Sequence, residues 1–360
     1  MSNIKQSISW RIMRLLTLSA LLVLACCSCS SISYYHQSIS GHLSLISKRQ
    51  AITTIVNDPA SDKDLVAQLK HAQKARAFAS TRLKLPENGS YHSFVQLDQP
   101  HVTWAVFAAP EFSVALNNWC FLVIGCVQYR GYFKQQRAEE YAEKLSNKGL
   151  ETYVTGIPAY STLGWFDDPL LSSMIDRGEL VTAAYIFHEL SHQQFYVNGD
   201  SGFNEAFATA VEEIGVALWL QENNKLDQLE KYHQWLQQKK VFSDFIGSSR
   251  QKFEDLYAEE LTEQGKREKK HALIEQMRKE FSSLSTQHKQ ISRYTNWMSG
   301  PLNNAQLGAI SLYRELVPAF KKIYQLCGND FERFYAHTKQ ISKLSIEQRQ
   351  EEVLHAKSCL

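Results

Sequence analysis

The sequence lacks several features that would assign a protein to a class at once. Its 39 Lys and Arg residues are balanced by 37 Asp and Glu residues, so the net charge is only +2 and no nucleic-acid-binding surface is predicted. No apolar run approaches the ~20 residues that a membrane-spanning helix needs. There is no internal repeat and no long Gly/Ser linker. With 44% hydrophobic residues, the composition predicts one globular unit with an ample core.

The first thirty residues differ from the rest of the chain. Basic residues precede an apolar run over residues 15–25, which has the length of a signal-peptide core. A cysteine directly after such a run resembles the bacterial lipobox, whose cysteine is lipidated, and Cys26 and Cys29 are the candidates. We therefore expect a lipoprotein signal peptide over residues 1–28. An ordinary secretory signal and an uncleaved anchor remain as alternatives.

Lipidation would place the protein in the cell envelope, anchored to the membrane through its amino-terminal lipid. Neither candidate cysteine is followed by Asp, so by analogy with bacterial lipoprotein sorting we expect the outer membrane, facing the periplasm. Cysteines pair in that oxidising compartment. Cys120 and Cys126 are close in sequence and are expected to form a local disulfide, which leaves Cys327 and Cys359 as a second pair. A zinc knuckle is the alternative, but it lacks a second pair of ligands.

The most informative motif is His188-Glu189-Leu190-Ser191-His192, in an apolar run without Pro or Gly. Residues four apart lie on the same face of a helix, so both imidazoles can reach one ion. Glu189 is placed beside that ion, where it can take a proton from metal-bound water. The motif predicts a catalytic zinc site with one Zn²⁺ per chain.

A catalytic zinc site needs a third protein ligand. A polar turn at residues 198–202 is followed by a second apolar helix that carries Asn204 and Glu205. Folded back against the first helix, it would bring Glu205 to the ion. Glu212 lies near the same helical face and is expected to accept a hydrogen bond from the free ring nitrogen of a ligand histidine, which fixes the orientation of that ring. Asn204 is likewise expected to support the ligands without binding the ion.

The second helix resembles a motif of known enzymes. Asn-Glu-Ala-Phe-Ala, followed by Glu212, is similar to the Asn-Glu-Gly-Phe-Ala…Glu helix of zinc aminopeptidases in the gluzincin class. The spacer of twelve residues between His192 and Glu205 is shorter than in those enzymes. Further stretches resemble a family of bacterial lipoproteins predicted to be aminopeptidases: 34–38, 119–133, 160–169 and 303–320.

The resemblance implies further site residues. In gluzincins an edge strand just before the metal helix binds the peptide backbone, and residues 160–166 occupy that place in the chain. Ser161, Thr162 and Gly164 are the expected substrate-facing residues. The stretch lacks the Glu with which aminopeptidases of the class bind the free amine, so exo- and endopeptidase activity both remain open. A downstream tyrosine commonly polarises the carbonyl, and Tyr313 is our candidate, followed by Tyr294.

The pattern of the whole chain predicts an α+β fold that is predominantly helical. We expect a gluzincin-like core over residues 29–360, with a small mixed sheet before the metal helix and a buried strand over residues 119–127. The charged region 221–290 keeps helical spacing and is expected to form a projecting hairpin inserted in that domain. The expected function is zinc-dependent peptide hydrolysis, with an aminopeptidase as the first choice. The alternative is an envelope lipoprotein whose structural zinc serves a scaffold or binding role.

Overall fold

The computed structural model of the protein describes residues 32–121, 125–311 and 316–359. The chain divides into two compact units, one ending at Lys48 and the other spanning Arg49–Leu360. The fold is predominantly helical with small sheets, so the expected α+β class is confirmed at that level. Within the described ranges, no helix is both long enough and apolar enough to span a membrane.

Helices make up most of the described chain, and their bounds follow the sequence pattern closely. The helix Lys63–Thr81, for example, begins directly after Asp62, whose side chain accepts a hydrogen bond from the Leu65 amide at 2.8 Å. The helices are α1 (32–47), α2 (Ile52–Asn57), α3 (Lys63–Thr81), α4 (Gln135–Ser146), α5 (Ser172–Ile175), α6 (Glu179–Gln194), α7 (Ser201–Glu222), α8 (Leu226–Ala258), α9 (Glu263–Gln287), α10 (Thr295–Met298), α11 (Asn304–Ser311), α12 (Val317–Leu326), α13 (Phe331–Ile341) and α14 (Ile346–His355).

Three small sheets contain the described strands. The strands are β1 (Gln50–Ala51), β2 (Ser93–Val95), β3 (Thr103–Pro110), β4 (Trp119–Phe121), β5 (Gly125–Val127), β6 (Arg130–Tyr132), β7 (Leu150–Ile157) and β8 (Leu170–Leu171). The sheet β6-β3-β7 is antiparallel, β1-β2-β8 is mixed, and β4 pairs only with β5. The sheet expected before the metal helix is therefore distributed over separate small sheets.

Strand β3 lies at the centre of the largest sheet and is buried along nearly its whole length. Its alternate residues Ala105, Phe107 and Ala109 pack with α11, through Ala305 and Ala309. The residues between them point to the other face of the sheet, because successive side chains of a strand alternate between the two faces. Helix α4 also packs on this sheet. A sheet covered on both faces explains why β3 reads as a continuous apolar run.

The helices α6 and α7 form the pair that carries the metal-binding motif. They are joined by the short segment 195–200 and pack closely together, with α3 against α6 and α12 against α7. Asp200 caps α7 by accepting a hydrogen bond from the Phe203 amide at 3.1 Å. Buried aromatic rings of α7, α12 and α13 fix the pair from the other side: Phe203, Phe207, Phe320 and Phe334. Residues 188–212 are thus held in a rigid, well-packed frame.

The prediction of one buried strand over residues 119–127 is wrong. The chain reverses within it, so that Trp119 pairs with Val127 and Cys120 with Cys126 in the antiparallel β4–β5 hairpin. The expected disulfide Cys120–Cys126 links these paired strands, and Cys327–Cys359 is also present. Gly125, the first residue of β5, has a φ of +73°, a conformation that an L side chain rarely adopts.

The hairpin predicted over residues 221–290 is present as α8 and α9, but it does not project. Met277 and Phe281 of α9 share a hydrophobic cluster with Phe242 and Ile246 of α8 and with buried residues outside the hairpin, among them Val114. Arg267 and Lys270 of α9 are paired with Glu111 and Glu151 on the sheet side. The spacing of the apolar residues of α9 indicates that one face of the helix is buried, but it does not identify the part of the chain against which that face packs.

Candidate metal centre

Two histidine rings of α6 face the same point in space. His188 and His192 lie one turn apart, and their Nε2 atoms are 3.2 Å from each other. Both side chains are largely buried, with 16% and 8% of their side-chain surface exposed. The helical spacing alone brings these nitrogens together, as the sequence predicts.

Glu205 of α7 supplies a carboxylate to the same point. Its Oε2 lies 3.2 Å from His188 Nε2, and its Oε1 lies 3.6 Å from His192 Nε2. Asn204 determines how the chain enters this helix, because its amide donates to the Val197 carbonyl at 2.8 Å and accepts from the Val197 N–H at 2.9 Å. Asn204 therefore closes the turn between the two helices and acts on the site through the position of Glu205.

Glu212 lies two turns further along α7, behind the ring of His188. Its Oε2 is 3.1 Å from His188 Nδ1. A carboxylate at this distance favours a proton on Nδ1, so that Nε2, which faces Glu205 and His192, is the ring nitrogen that would bind a metal ion. This is the position that the sequence pattern assigned to Glu212.

The donor set fits a zinc ion. In the described ranges, His188, His192 and Glu205 form the one group of three or more His, Cys, Asp or Glu side chains whose ligand atoms all lie within 4.8 Å of each other. Tetrahedral zinc with Zn–N bonds of about 2.0–2.1 Å separates two ligand nitrogens by about 3.3 Å. The observed separations of 3.2 Å match that edge. Two nitrogens and a carboxylate are also the ligands of many catalytic zinc sites.

Burial shapes the charge states around this point. Burial lowers the pKa of His192 to about 4, which favours the neutral imidazole that a metal needs. Burial also opposes protonation of His188, but its hydrogen bonds to Glu205 and Glu212 outweigh that effect and raise its pKa. For Glu205, burial acts against ionisation, yet the two histidines keep its pKa below the usual value. The cluster therefore carries excess negative charge, which a divalent cation would balance.

Glu189 lies on the flank of α6 next to the ligand pair. Burial raises its pKa to about 7; the charge of His188 opposes this, and the negative charges of Glu205, Asp168 and Glu212 add to it. A carboxyl group with a pKa near neutrality can both accept and return a proton at physiological pH. Its surroundings therefore suit a general base, the role that its place in the motif predicts.

The stretch expected to be an edge strand forms a turn instead. Asp168, only 1% exposed, accepts hydrogen bonds from the Thr162 amide at 2.9 Å and from the Ser161 hydroxyl at 3.3 Å. Its other oxygen lies 2.8 Å from Thr162 Oγ1. Because these bonds draw residues 161–168 around one buried carboxylate, the segment cannot extend as a strand. The strand prediction is wrong, and the hydroxyls of Ser161 and Thr162 serve the turn; Gly164 lies at its exposed tip.

Sequence reasoning missed the residues that connect this turn to the metal helix. Gln193 donates to Asp168 at 3.2 Å and accepts from Asn88 at 2.7 Å, and Ser90 is in contact with both Gln193 and Asp168. Tyr91 follows with a φ of +66°, fully buried, with its amide bonded to the Asp168 carbonyl at 2.7 Å. Nothing in the local pattern links these segments, since Ser90 lies 78 residues from Asp168 and 103 residues from Gln193 along the chain.

Other predicted residues fall outside this centre or outside the described ranges. Tyr294, the second candidate for the carbonyl-polarising role, stacks on Phe242 with ring centroids 3.7 Å apart in the α8–α9 hydrophobic cluster. Tyr313, the first candidate, lies outside the described residues, as do Cys26 and Cys29 and the whole predicted signal peptide.

The fold and the site together define a class: an α+β protein with a candidate His/His/Glu metal centre on two packed helices. The chain belongs to the protein family described as "Putative aminopeptidase", whose model matches residues 33–353. Family membership indicates a peptidase that acts on peptide substrates. No curated protein and no solved structure shows a significant match to the chain.

Proposed function

We propose that this protein is a zinc-dependent metallopeptidase of gluzincin type, with aminopeptidase activity as the family description indicates. The observation that carries the proposal is the convergence of His188 Nε2, His192 Nε2 and the Glu205 carboxylate on one point beside Glu189. The short spacer between His192 and Glu205 is compatible with this arrangement, because Asn204 closes the connecting turn tightly.

Each residue of the centre has a distinct task in this proposal. His188, His192 and Glu205 would hold the zinc ion, which when bound supplies Lewis acidity toward a carbonyl and lowers the pKa of a water molecule. Glu189 would accept a proton from the water molecule that attacks the peptide carbonyl and would return that proton to the leaving amine. Glu212 keeps the His188 ring in the orientation that presents Nε2. Tyr313 remains the proposed donor to the carbonyl oxygen.

Metal content is the direct test. The full chain should contain about one zinc ion, and His188→Ala, His192→Ala and Glu205→Ala should each reduce that content, because three protein ligands set the site. His233→Ala, on the exposed face of α8, is the matched control and should leave the zinc unchanged. Full zinc retention in Glu205→Ala would remove Glu205 from the ligand set and the gluzincin assignment with it.

Activity is measured on the same preparations. A peptide library should be cleaved by the parent chain and by His233→Ala, and chelation should stop cleavage in both. The released fragments distinguish removal of amino-terminal residues from internal cleavage. Cleavage that persists after complete removal of zinc would contradict the metallopeptidase proposal.

We also propose that the protein is a lipoprotein of the cell envelope, anchored to the outer membrane. The support is the apolar run over residues 15–25 with cysteines directly after it. Replacing the lipidated residue, Cys26 or Cys29, by Ser should release the protein from the membrane fraction, since acyl chains supply the anchoring. Unchanged fractionation when all leader cysteines are replaced would rule out the lipid anchor.

A further inference from the structure

Residues 161–168, here called the aromatic turn, display Trp165 and Phe166 at the surface with 73% and 54% exposure. We propose that Trp165 forms a subsite that binds an apolar side chain of the peptide substrate, on the Glu189 side of the metal centre. This inference rests on the proposed peptidase function and names a determinant of its substrate preference.

The position of the aromatic turn follows from Gln193. Gln193 lies four residues beyond Glu189 on α6, so their side chains are neighbours on one flank of the helix. Gln193 donates to Asp168 at 3.2 Å, and a Cβ placed on Gly164 would lie 3.9 Å from the Gln193 side chain. The aromatic turn therefore packs along the flank of α6 that carries the proposed general base.

The turn is built to hold one conformation. The Trp165 amide donates to the Thr162 carbonyl at 3.1 Å, and the Phe166 amide donates to Thr162 Oγ1 at 3.1 Å. Thr162 is in turn fixed by the buried carboxylate of Asp168, whose own amide donates to Ser90 Oγ at 3.1 Å. Bonds to two separate parts of the chain hold the base of the turn, so the tip cannot shift independently of α6.

The tip itself adopts a strained shape. Leu163 and Gly164, the central residues of the tight turn from Thr162 to Trp165, have φ values of +57° and +83°, the pattern of a type I′ turn. Glycine adopts this conformation readily, but leucine rarely does, because its Cβ crowds the backbone. Such strain persists only where the surroundings enforce it, and it is concentrated at functional sites.

The exposed indole of Trp165 is suited to contact with an apolar group of the substrate. A large aromatic side chain gains free energy when its face is covered, and here most of its surface faces solvent. In this proposal, a peptide whose scissile bond reaches the metal centre on the Glu189 side extends along the flank of α6 that carries the aromatic turn. A large apolar side chain of that peptide would then cover more of the indole than the methyl group of alanine does.

Peptide binding tests the subsite without relying on turnover. The background is the full chain carrying Glu189→Gln, loaded with zinc, titrated calorimetrically with alanine-based hexapeptides that carry one Leu at successive positions. Burying a leucine side chain should tighten binding by roughly 10-fold or more at one position at least. Adding Trp165→Ala should remove most of that gain and leave the affinity of the all-Ala peptide unchanged, and Trp165→Phe should keep part of the gain.

The control substitution is Leu226→Ala, which also removes an exposed apolar side chain. Leu226 is 62% exposed and begins α8, just beyond the carboxyl end of α7, which lies about 25 Å along that helix from Glu205. It should keep the full leucine preference. Zinc content and circular dichroism of each variant establish that the fold and the centre are intact.

Two results would overturn the subsite. The first is that the Trp165→Ala variant still binds a leucine-containing peptide more tightly than the all-Ala peptide. The second is that the Glu189→Gln chain with Trp165 intact binds no leucine-containing peptide more tightly than the all-Ala peptide. If the parent chain nevertheless binds zinc and cleaves peptides, only the subsite is wrong and the proposed function stands. If the parent chain neither holds zinc nor cleaves any peptide, the proposed function itself fails.

Discussion

The carboxylates of the metal centre differ in their contacts and in the pKa that their surroundings give them. Glu205 and Glu212 each lie against a histidine nitrogen, at 3.2 Å and 3.1 Å. Glu189 is half-buried, and the desolvation of its carboxyl together with nearby negative charge raises its pKa to about 7. At the scale of the residue, substitutions of Glu205 and Glu212 are therefore expected to weaken metal binding, whereas a substitution of Glu189 is expected to impair proton transfer.

Glu189→Gln tests the proton-transfer role. The amide keeps the shape of the side chain but cannot accept a proton, so peptide cleavage should fall by at least ~10²-fold with zinc content near that of the parent. Glu179→Gln, the same change at an exposed carboxylate on the same helix, should leave the cleavage rate unaltered. Cleavage at the parental rate by Glu189→Gln would assign the activity to a different site, and loss of zinc would make Glu189 a ligand.

Glu212→Gln tests the support behind His188. Without the negative charge, the Nδ1–H bond weakens and the ring becomes a poorer ligand, so zinc affinity should fall by roughly 10–100-fold. Competition with a chelator of known affinity measures this change. Glu222→Gln, at the surface end of the same helix, breaks only a pairing with Arg82 and should bind zinc as the parent does. Equal affinity in both variants would remove Glu212 from the site.

At the scale of the element, the β4–β5 hairpin supports the connection between the two ligand helices. Gly125 has a φ of +73°, and a Cβ placed there would lie 3.0 Å from the Gly199 nitrogen and 3.2 Å from Asn198 Cβ. The hairpin thus touches the turn through which α6 is joined to α7. Because the disulfide Cys120–Cys126 closes the hairpin, its contact with this turn is held in place from both strands.

Gly125→Ala should weaken this support. Alanine in the left-handed region costs about 1–2 kcal/mol, and the tight contact with the 198–199 turn adds to that cost. Denaturant unfolding should therefore show a lower free energy of unfolding than in the parent. Gly131→Ala is the control, since a Cβ there would meet no atom within 4 Å and its φ is not left-handed. Equal decreases in the free energy of unfolding of the two variants would mean that the contact with the 198–199 turn does not contribute to stability.

At the scale of the whole molecule, the α8–α9 hairpin is held against the β6-β3-β7 sheet by ion pairs as well as by apolar contacts. Arg267 Nε lies 2.7 Å from Glu111 Oε1, and Arg267 Nη2 lies 2.9 Å from Oε2. This two-point hydrogen bond lowers the pKa of the Glu111 carboxyl below its usual value of 4.5. The ionised pair therefore stabilises the folded chain above that pH, and its contribution is lost as the pH falls through the lowered pKa.

Arg267→Ala should reveal this dependence. At neutral pH the variant should unfold at a lower urea concentration than the parent, and the difference should shrink as the pH is taken well below 4.5, because Glu111 is then protonated in both proteins. Arg137→Ala, which breaks an exposed pair within α4, should behave as the parent throughout. A difference that stays constant with pH would show that Arg267 acts through its aliphatic contacts instead.

The sequence by itself determined the features that depend on local periodicity. The spacing of His188 and His192 places two nitrogens together on any helix, and the apolar pattern predicted the two helices, α6 and α7, that carry the metal-binding residues. The Cys120–Cys126 link followed from proximity along the chain. A second helix folded back on the first was enough to bring Glu205 and Glu212 to their histidines.

Only the tertiary structure decided the features that depend on distant partners. The segment 160–166 reads as a strand, but Asp168 is buried against Ser90 and Gln193, and it draws the segment into a turn. Likewise, the apolar residues of α9 do not identify the partner of this helix, which packs through a shared hydrophobic cluster and through ion pairs with Glu111 and Glu151. Local propensity gives way at such sites because burying a carboxylate without hydrogen-bond partners costs more than changing the conformation of a short stretch of backbone.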